Sequence, residues 1–370
     1  MTPLLRTTIL AAALVAATSA DGLAQQQGHT AIQGKILDKA TGGEVLAPTG
    51  EILDHREEMR DMIINIGEFA RKYNRNFKIL PMDAADIISK TATADDTRKV
   101  PARAFIKSID GVFQEGLNFG IGAVGQKPEP DVRKHIDDAL TLAKQNGLPV
   151  FVIDYAKEPK DVDAAYRANA REGYISYVAP AKGEELNRLA STPRVPVREN
   201  ADNILSLKEV KNFVFLRDSS AFGRQDEFAL KMHDTNYDLV IVDVFHGREP
   251  LSKRAIETLK YKKTGAKRLV FAYMDIGTAA TYHYYWKPNW REGNPSFITQ
   301  PTPNNPDKYY VEFWNPEWQK VIFGDTNSYV YGIIQQGFDG VLIDGLTAAT
   351  YFAAGAEGDL TAPTGTGFIR

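Results

Sequence analysis

The sequence predicts an α/β chain whose centre is a (β/α)8 barrel. Three observations predict it. Apolar runs alternate with helical stripes along the central region, the pattern of a parallel sheet covered by helices. Most of the runs are continuous rather than alternating, which suits strands buried on both faces. Nine such runs exceed an open sheet of ordinary size, and a barrel with one supernumerary strand accommodates them within 370 residues. A doubly wound sheet is the alternative.

The runs follow one another as Lys78 to Met82, Ile109 to Phe113, Pro149 to Tyr155, Tyr174 to Ala179 and Asn212 to Leu216. Asp238 to Phe245, Arg268 to Ile276, Tyr309 to Trp314 and Phe338 to Asp344 complete them. Between them lie stripes at helical spacing. Met59, Met62, Ile63, Ile66, Ala70 and Tyr73 share one face. Val132, Ile136, Ala139, Leu140 and Ala143 share a second. Val162, Ala165, Tyr166 and Ala170 form a third, stopped by Gly173. Ala255, Ile256 and Leu259 form a fourth, and a fifth opens at Pro316 and closes at Gly337. These stripes read as core faces.

The ends differ from the centre. Arg6, the apolar stretch Thr8 to Ala17 and the small-residue step Gly22-Leu23-Ala24 read as a signal peptide over residues 1–24, with Thr18-Ser19-Ala20 as the second cleavage choice. Residues 25–50 read as a flexible lead-in, 51–352 as a single barrel domain and 353–370 as a tail. No later run approaches ~18 uninterrupted apolar residues. The expected location is therefore the periplasm or the medium, with no membrane insertion after cleavage. The chain has 44 Lys and Arg against 47 Asp and Glu, a formal net charge of −3, without the basic surplus of a general nucleic-acid binder. It has no cysteine, which excludes disulfides, thiolate metal sites and cysteine nucleophiles.

Chemistry on a barrel sits at the C-terminal ends of the strands. Those positions hold Asp83, Glu115, Asp154, Asp243, Asp275 and Asp344. Each alone suits a helix cap or a loop. Converging on one mouth, they would raise one another's pKa values, a cost accepted where an acid, a base or a cationic ligand is needed. Trp286, Trp290, Trp314 and Trp318 all fall in one segment, with Tyr282, Tyr284, Tyr285, Tyr309, Tyr310 and Phe313 among them. This aromatic insertion suits either stacking on sugar rings or a satellite core, and Trp318 reads as core. Gly120-Ile-Gly122-Ala-Val-Gly125 matches a dinucleotide fingerprint by letters only, since Gln126 to Pro130 follows where a helix should begin. The six histidines show no ligand spacing, so no metal and no cofactor is expected. His246 and His283 lie where either could touch a substrate.

Four segments stand out together: Lys267 to Gly277 (KRLVFAYMDIG), Tyr285 to Pro288 (YWKP), Trp314 to Trp318 (WNPEW) and Gly337 to Asp344 (GFDGVLID). They resemble the endo-α-1,4-polygalactosaminidase family of glycoside hydrolases, in particular its secreted bacterial branch sometimes labelled cysteinyl-tRNA synthetase-related. The synthetase label finds no support, as neither the H-x-G-H nor the K-M-S-K-S signature is present. The resemblance implies a (β/α)8 barrel cleaving polymers of galactosamine or related amino sugars. It also implies a circular permutation: residues 54–190 resemble the family's C-terminal portion and residues 210–352 its N-terminal portion, with the cut after Asp344.

On this resemblance Asp344 and Glu115 are the catalytic carboxylates. Asp243, Asp154, Asp275, Asp83, Tyr273, Trp286, Trp290 and Trp314 are the substrate-binding residues. The chain departs from the family at Gly277-Thr278-Ala279-Ala280, where two acids are lost, and at Gly345-Leu346-Thr347, where a second Asp is missing. Asp275 replaces a small polar residue, and Asp83 stands where an amide is typical. The expected function is a secreted glycosidase acting on an amino-sugar polysaccharide. The alternatives are a catalytically silent carbohydrate-binding barrel and, third, a metal-assisted hydrolase.

Overall fold

The computed structural model describes residues 53–92, 99–303 and 305–355. The expected signal peptide, the lead-in and most of the tail lie outside the described residues. The first helix, α1 (His55–Tyr73), is fixed at its start by Asp54, whose carboxylate accepts from the Arg56 and Glu57 amides at 3.0 and 3.1 Å. Glu57 and Glu58 in its first turn and Arg71 and Lys72 in its last complement the helix dipole. Met59, Met62, Ile63, Ile66 and Ala70 are fully buried, so the expected stripe is the core face as far as Ala70, while Tyr73 at the helix end is 48% exposed.

Five parallel strands form one sheet: β1 (Lys78–Pro81), β5 (Phe213–Leu216), β6 (Leu239–Asp243), β7 (Leu269–Asp275) and β8 (Gly340–Asp344), in the order β1-β8-β7-β6-β5. A second parallel sheet holds β2 (Val112–Glu115), β3 (Val150–Tyr155) and β4 (Ile175–Ala179) in chain order. The molecule is thus a mixed α/β domain with a five-stranded parallel sheet. The two sheets meet on one side through a parallel bridge between Met82 and Phe113. Between them Phe213 packs against Phe113, Phe151 and Tyr177, with ring centroids 5.4, 5.8 and 5.9 Å apart.

Six further helices flank these strands: α2 (Arg103–Ser108), α3 (Pro130–Gln145), α4 (Pro159–Glu172), α5 (Gln225–His233), α6 (Lys253–Leu259) and α7 (Pro316–Ile322). They are joined by α8 (Tyr329–Gln336) and α9 (Thr347–Ala353). Prolines open α3, α4 and α7, where the missing N–H is not needed. The expected fifth helix is in fact two, α7 and α8, separated by a turn in which Gly324 has φ 122°. The expected run Tyr309 to Trp314 overlaps the strand Asn305–Val311, the centre of an antiparallel sheet with Thr278–Ala280 and Ile298–Thr302. It belongs to an excursion between β7 and α7; a short connection joins it to Ile298–Thr302 as an antiparallel hairpin, and Thr278–Ala280 pairs antiparallel on its other side. The run expected at Ile109 begins at Val112 instead. Asp110 turns the chain there by accepting from the Ile79 amide and Arg71, both at 2.8 Å.

Candidate functional site

Side chains in register on neighbouring parallel strands share a face, and positions two apart on one strand do too. Asp344 is in register with Asp275, and Tyr273 with Asp243. Asp243, Tyr273, Asp275 and Asp344 therefore share one face at the C-terminal ends of β6, β7 and β8. On the other sheet Glu115 is in register with Ile153, two residues before Tyr155. Arg217 lies two beyond Phe215, one step past the end of β5.

These placements build two similar units. Tyr155 donates its hydroxyl to Glu115 Oε1 at 2.5 Å, and Tyr273 donates to Asp344 Oδ2 at 2.6 Å. Each carboxylate thus accepts from a tyrosine on the adjacent strand. Asp344 Oδ1 also accepts from the Gly345 amide at 2.6 Å. Burial raises both tyrosine pKa values well above the ordinary range, and the carboxylate each one meets adds to this. Both hydroxyls remain protonated donors. Burial also raises the carboxyl of Glu115; the Lys182 ammonium, 3.9 Å away, and the Tyr155 hydroxyl oppose that rise, and Asp344 adds to it.

Asp83 lies past the end of β1, between these two strands. Its Oδ1 accepts from Gln114 Nε2 at 2.8 Å and from the Glu115 amide at 2.9 Å. Asp275 is closed into an ion pair with Lys308 at 2.7 Å and accepts from the Gly277 and Thr278 amides. Burial favours its neutral form, but Lys308 outweighs this and holds the carboxyl below its usual range. Asp243 accepts from the Phe245 amide at 2.9 Å, and burial raises its pKa to about 6 despite that bond and Arg217.

Three cations stand among the acids, which the acidic reading of the mouth missed. Lys308 pairs with Asp275. Lys182 donates to the carbonyls of Gly120 and Ile121 at 3.0 Å each. The Arg217 guanidinium lies 3.8 Å above the Tyr273 ring and 2.9 Å from Glu184. Burial works against its charge, but Tyr273, Glu184, Asp243 and Asp344 outweigh burial and raise its pKa. Its Nε is buried without a partner, as is Nδ1 of His283. The two-residue step beyond Phe215 is the signal that could have found Arg217.

Asp154 is a correction. It faces the other way from Tyr155, is fully buried, and accepts from the Asn118 and Phe119 amides and from the side-chain amides of Asn118 and Asn169. With four donors from the loop after β2 and from α4, it locks structure and does not reach the mouth. Trp290 is also core, 8% exposed and packed edge-on against Phe297 and Trp286. Half-buried Trp314 lies edge-on to His55 and Phe352, on α1 and α9. Half-buried Trp286 stacks on Tyr309, and Trp318 is fully buried, its indole donating to the Ile276 carbonyl. The tryptophans hold the excursion together. Its exposed aromatics are Tyr282 and Tyr284, at 64% and 54%. His246 is held between Ser219 Oγ and the Gly223 carbonyl.

Two glycines explain local sequence. Gly120 has φ 94°, and a Cβ there would lie 2.5 Å from Cβ of Tyr155. The glycine-rich loop thus lets the backbone cross over the tyrosine that holds Glu115. Gly345 has φ 89°, and a Cβ there would overlap Asp275 Oδ1. Asp275 and the glycine that follows Asp344 are sterically linked. Among the described residues no three His, Asp or Glu side chains converge as metal ligands.

No family model matches this sequence. An uncharacterized protein of Methanocaldococcus jannaschii is 33% identical over 166 residues, 44% of this chain and 45% of that protein. An uncharacterized protein of Thermotoga maritima is 27% identical over 142 residues, 37% of this chain and 41% of its own. One from Deinococcus radiodurans is 29% identical over 113 residues, 30% and 34% of the two chains. The chain spans less than half the length of the curated relatives it matches.

Proposed function

We propose that the chain is an exported glycoside hydrolase that cleaves an amino-sugar polysaccharide on a circularly permuted (β/α)8 barrel. The observation that carries this reading is the pair Glu115 and Asp344, each fixed by a tyrosine hydroxyl, on strands separated by β1 alone. Glycosidic cleavage needs one carboxylic acid to protonate the leaving oxygen and a second carboxylate to attack the sugar or activate water. Burial favours the protonated form of Glu115, which suits the acid. Asp344 suits the nucleophile or base. Tyr273 and the Gly345 amide orient it, and Arg217 lies over Tyr273 to stabilise charge there.

The strand order supports closure. Within each sheet strands consecutive in the chain are neighbours, β8 returns to β1, and β1 meets β2 through Met82 and Phe113. That is the neighbour order of a (β/α)8 barrel. A permuted chain would align with an unpermuted relative in only one of its two portions, and the matched lengths of 30–44% of this chain agree with that.

The test follows new reducing ends released from partially deacetylated galactosaminan and glucosaminan by the mature protein, beside Asp344→Asn. Release by the wild type, lowered about 10²–10⁴-fold in the variant, is expected. Binding of either polymer without release by folded wild type would replace this reading with the non-catalytic carbohydrate-binding barrel. The lack of acids at Gly277 to Ala280 and the closure of Asp275 by Lys308 favour that second reading.

A further inference from the structure

Asp83 is the acid of the mouth whose surroundings least suit a charge. It has φ 55°, a left-handed conformation rare for a residue with a side chain. Its amide donates to the Phe113 carbonyl at 2.8 Å, which anchors the turn to β2. Its carboxyl is 8% exposed at residue level and is held through one oxygen only, by Gln114 and the Glu115 amide. Gln114 is itself buried and also donates to the Glu115 carbonyl at 2.9 Å, so it cannot turn away. The charged and titratable groups facing Asp83 are Glu115 from β2, Asp344 from β8, Tyr155 from β3 and Lys182 from the segment after β4. Asp83 has no ion pair among the described residues, while Lys182 lies near Glu115.

We propose that Asp83 is a permanently protonated carboxylic acid whose Oδ2 hydroxyl donates a hydrogen bond to an uncharged oxygen, a hydroxyl or ring oxygen, of the sugar bound between Glu115 and Asp344. The two donors at Oδ1 fix that oxygen as the carbonyl end, which leaves the proton on Oδ2. Lys182 is the cation that faces Asp83, whereas Arg217 acts on Glu115 and Asp344 and Lys308 on Asp344, so among these neighbouring carboxylates the most enclosed one keeps its proton. Burial and the charges of Glu115 and Asp344 both push the Asp83 carboxyl well above its usual range. A neutral acid used as a donor at neutral pH is a known device of apolar sites. The identity of the ligand rests on the glycosidase reading; the protonation state does not.

The experiment uses mature protein carrying carboxyl-13C aspartate, followed by NMR from acid to alkaline pH, with Asp83→Asn to assign the signal. Asn keeps the acceptor at Oδ1 and puts an N–H donor where the O–H was. The signal lost in Asp83→Asn should remain that of a carboxylic acid at pH 7. Asp83→Ala should lower hydrolysis about tenfold or more, and Asp83→Asn, which keeps a donor at that place, should lose less than Asp83→Ala does. A carboxylate signal at pH 7, or an Asp83→Asn loss as deep as that of Asp344→Asn, overturns the proposal. If Asp83→Ala does not fold, the labelled wild type and Asp83→Asn decide alone. A protonated Asp83 in a protein that cleaves neither polymer would sink the glycosidase reading and leave the protonated state standing.

Discussion

Strand β6 has an aspartate at each end, Asp238 fully buried and Asp243 half-buried, and the two are treated in opposite ways. Asp238, just before the strand, is fully buried and fully paired. Lys262, also fully buried, lies 2.5 Å from its Oδ1, while Asn200 and the Lys211 amide donate to its carboxylate. Lys262 in turn donates to the Asp202 carbonyl and Asn200 Oδ1. Asp243, at the other end, has the Phe245 amide and no ion pair among the described residues. The same end holds the unpartnered nitrogens of Arg217 and His283. A charge saturated with partners supports the fold, and a charge left short of them strains it. In α/β folds with parallel strands, chemistry collects at the carboxyl ends of the strands, and the second end of β6 is the carboxyl end.

The largest effect should come from breaking the saturated end. Lys262→Met leaves Asp238 buried and unpaired, which costs about 3–5 kcal/mol. Equilibrium unfolding in urea would measure it. Asp238→Asn combined with Lys262→Met removes both charges and should recover much of the loss. A single variant as stable as wild type would mean that the pair is replaceable by packing.

At the mouth the sign reverses. A carboxyl raised from 3.8 to about 6 binds more protons folded than unfolded between those values. Its contribution is fully present below pH ~4 and is lost as pH rises through ~6. A shift of about two units corresponds to about 3 kcal/mol. Asp243→Asn keeps the acceptor for Phe245 and removes the charge, so it should stabilise the protein by about that amount at pH 7 and flatten the pH dependence between 4 and 6. Unfolding curves at several pH values would show it. A destabilised Asp243→Asn would place this aspartate with Asp238.

How much of this the sequence carried depends on the kind of signal. The parallel strands were legible because continuous apolar runs have few other uses, and Glu115 and Asp344 were legible as the acids that end two of them. Asp154 misled because it too ends a strand. Only its parity with Tyr155 assigns it to the opposite face, and parity needs the register. Lys308 was beyond reach, since the excursion that returns it to Asp275 is held by the Tyr309–Ala279 register rather than by local pattern. The tryptophans misled because aromatic character does not tell a ring stacked on a sugar from one stacked on Tyr309. Short helices such as α2, α5 and α9 carry too few turns for a stripe to stand out.

The smallest effect tests whether the loop after β2 belongs to the strained end or the saturated one. Asp154 anchors that loop at Asn118 and Phe119, as a structural residue would. The next residue, Gly120, lies against Tyr155, whose hydroxyl reaches Glu115. Gly120→Ala adds a methyl at a positive φ and presses on Tyr155, which should cost about 1–3 kcal/mol. If the loop served only the fold, the loss would end there. Because the Tyr155 hydroxyl lowers the Glu115 carboxyl, displacing it should also move Glu115 further up, and under the proposed glycosidase function the pH-rate limb of that acid should shift to higher pH. Tyr155→Phe should give the same shift at a smaller cost in stability. A stability loss in Gly120→Ala with an unmoved limb would make the glycine a packing residue and cut the path from Asp154 to the mouth.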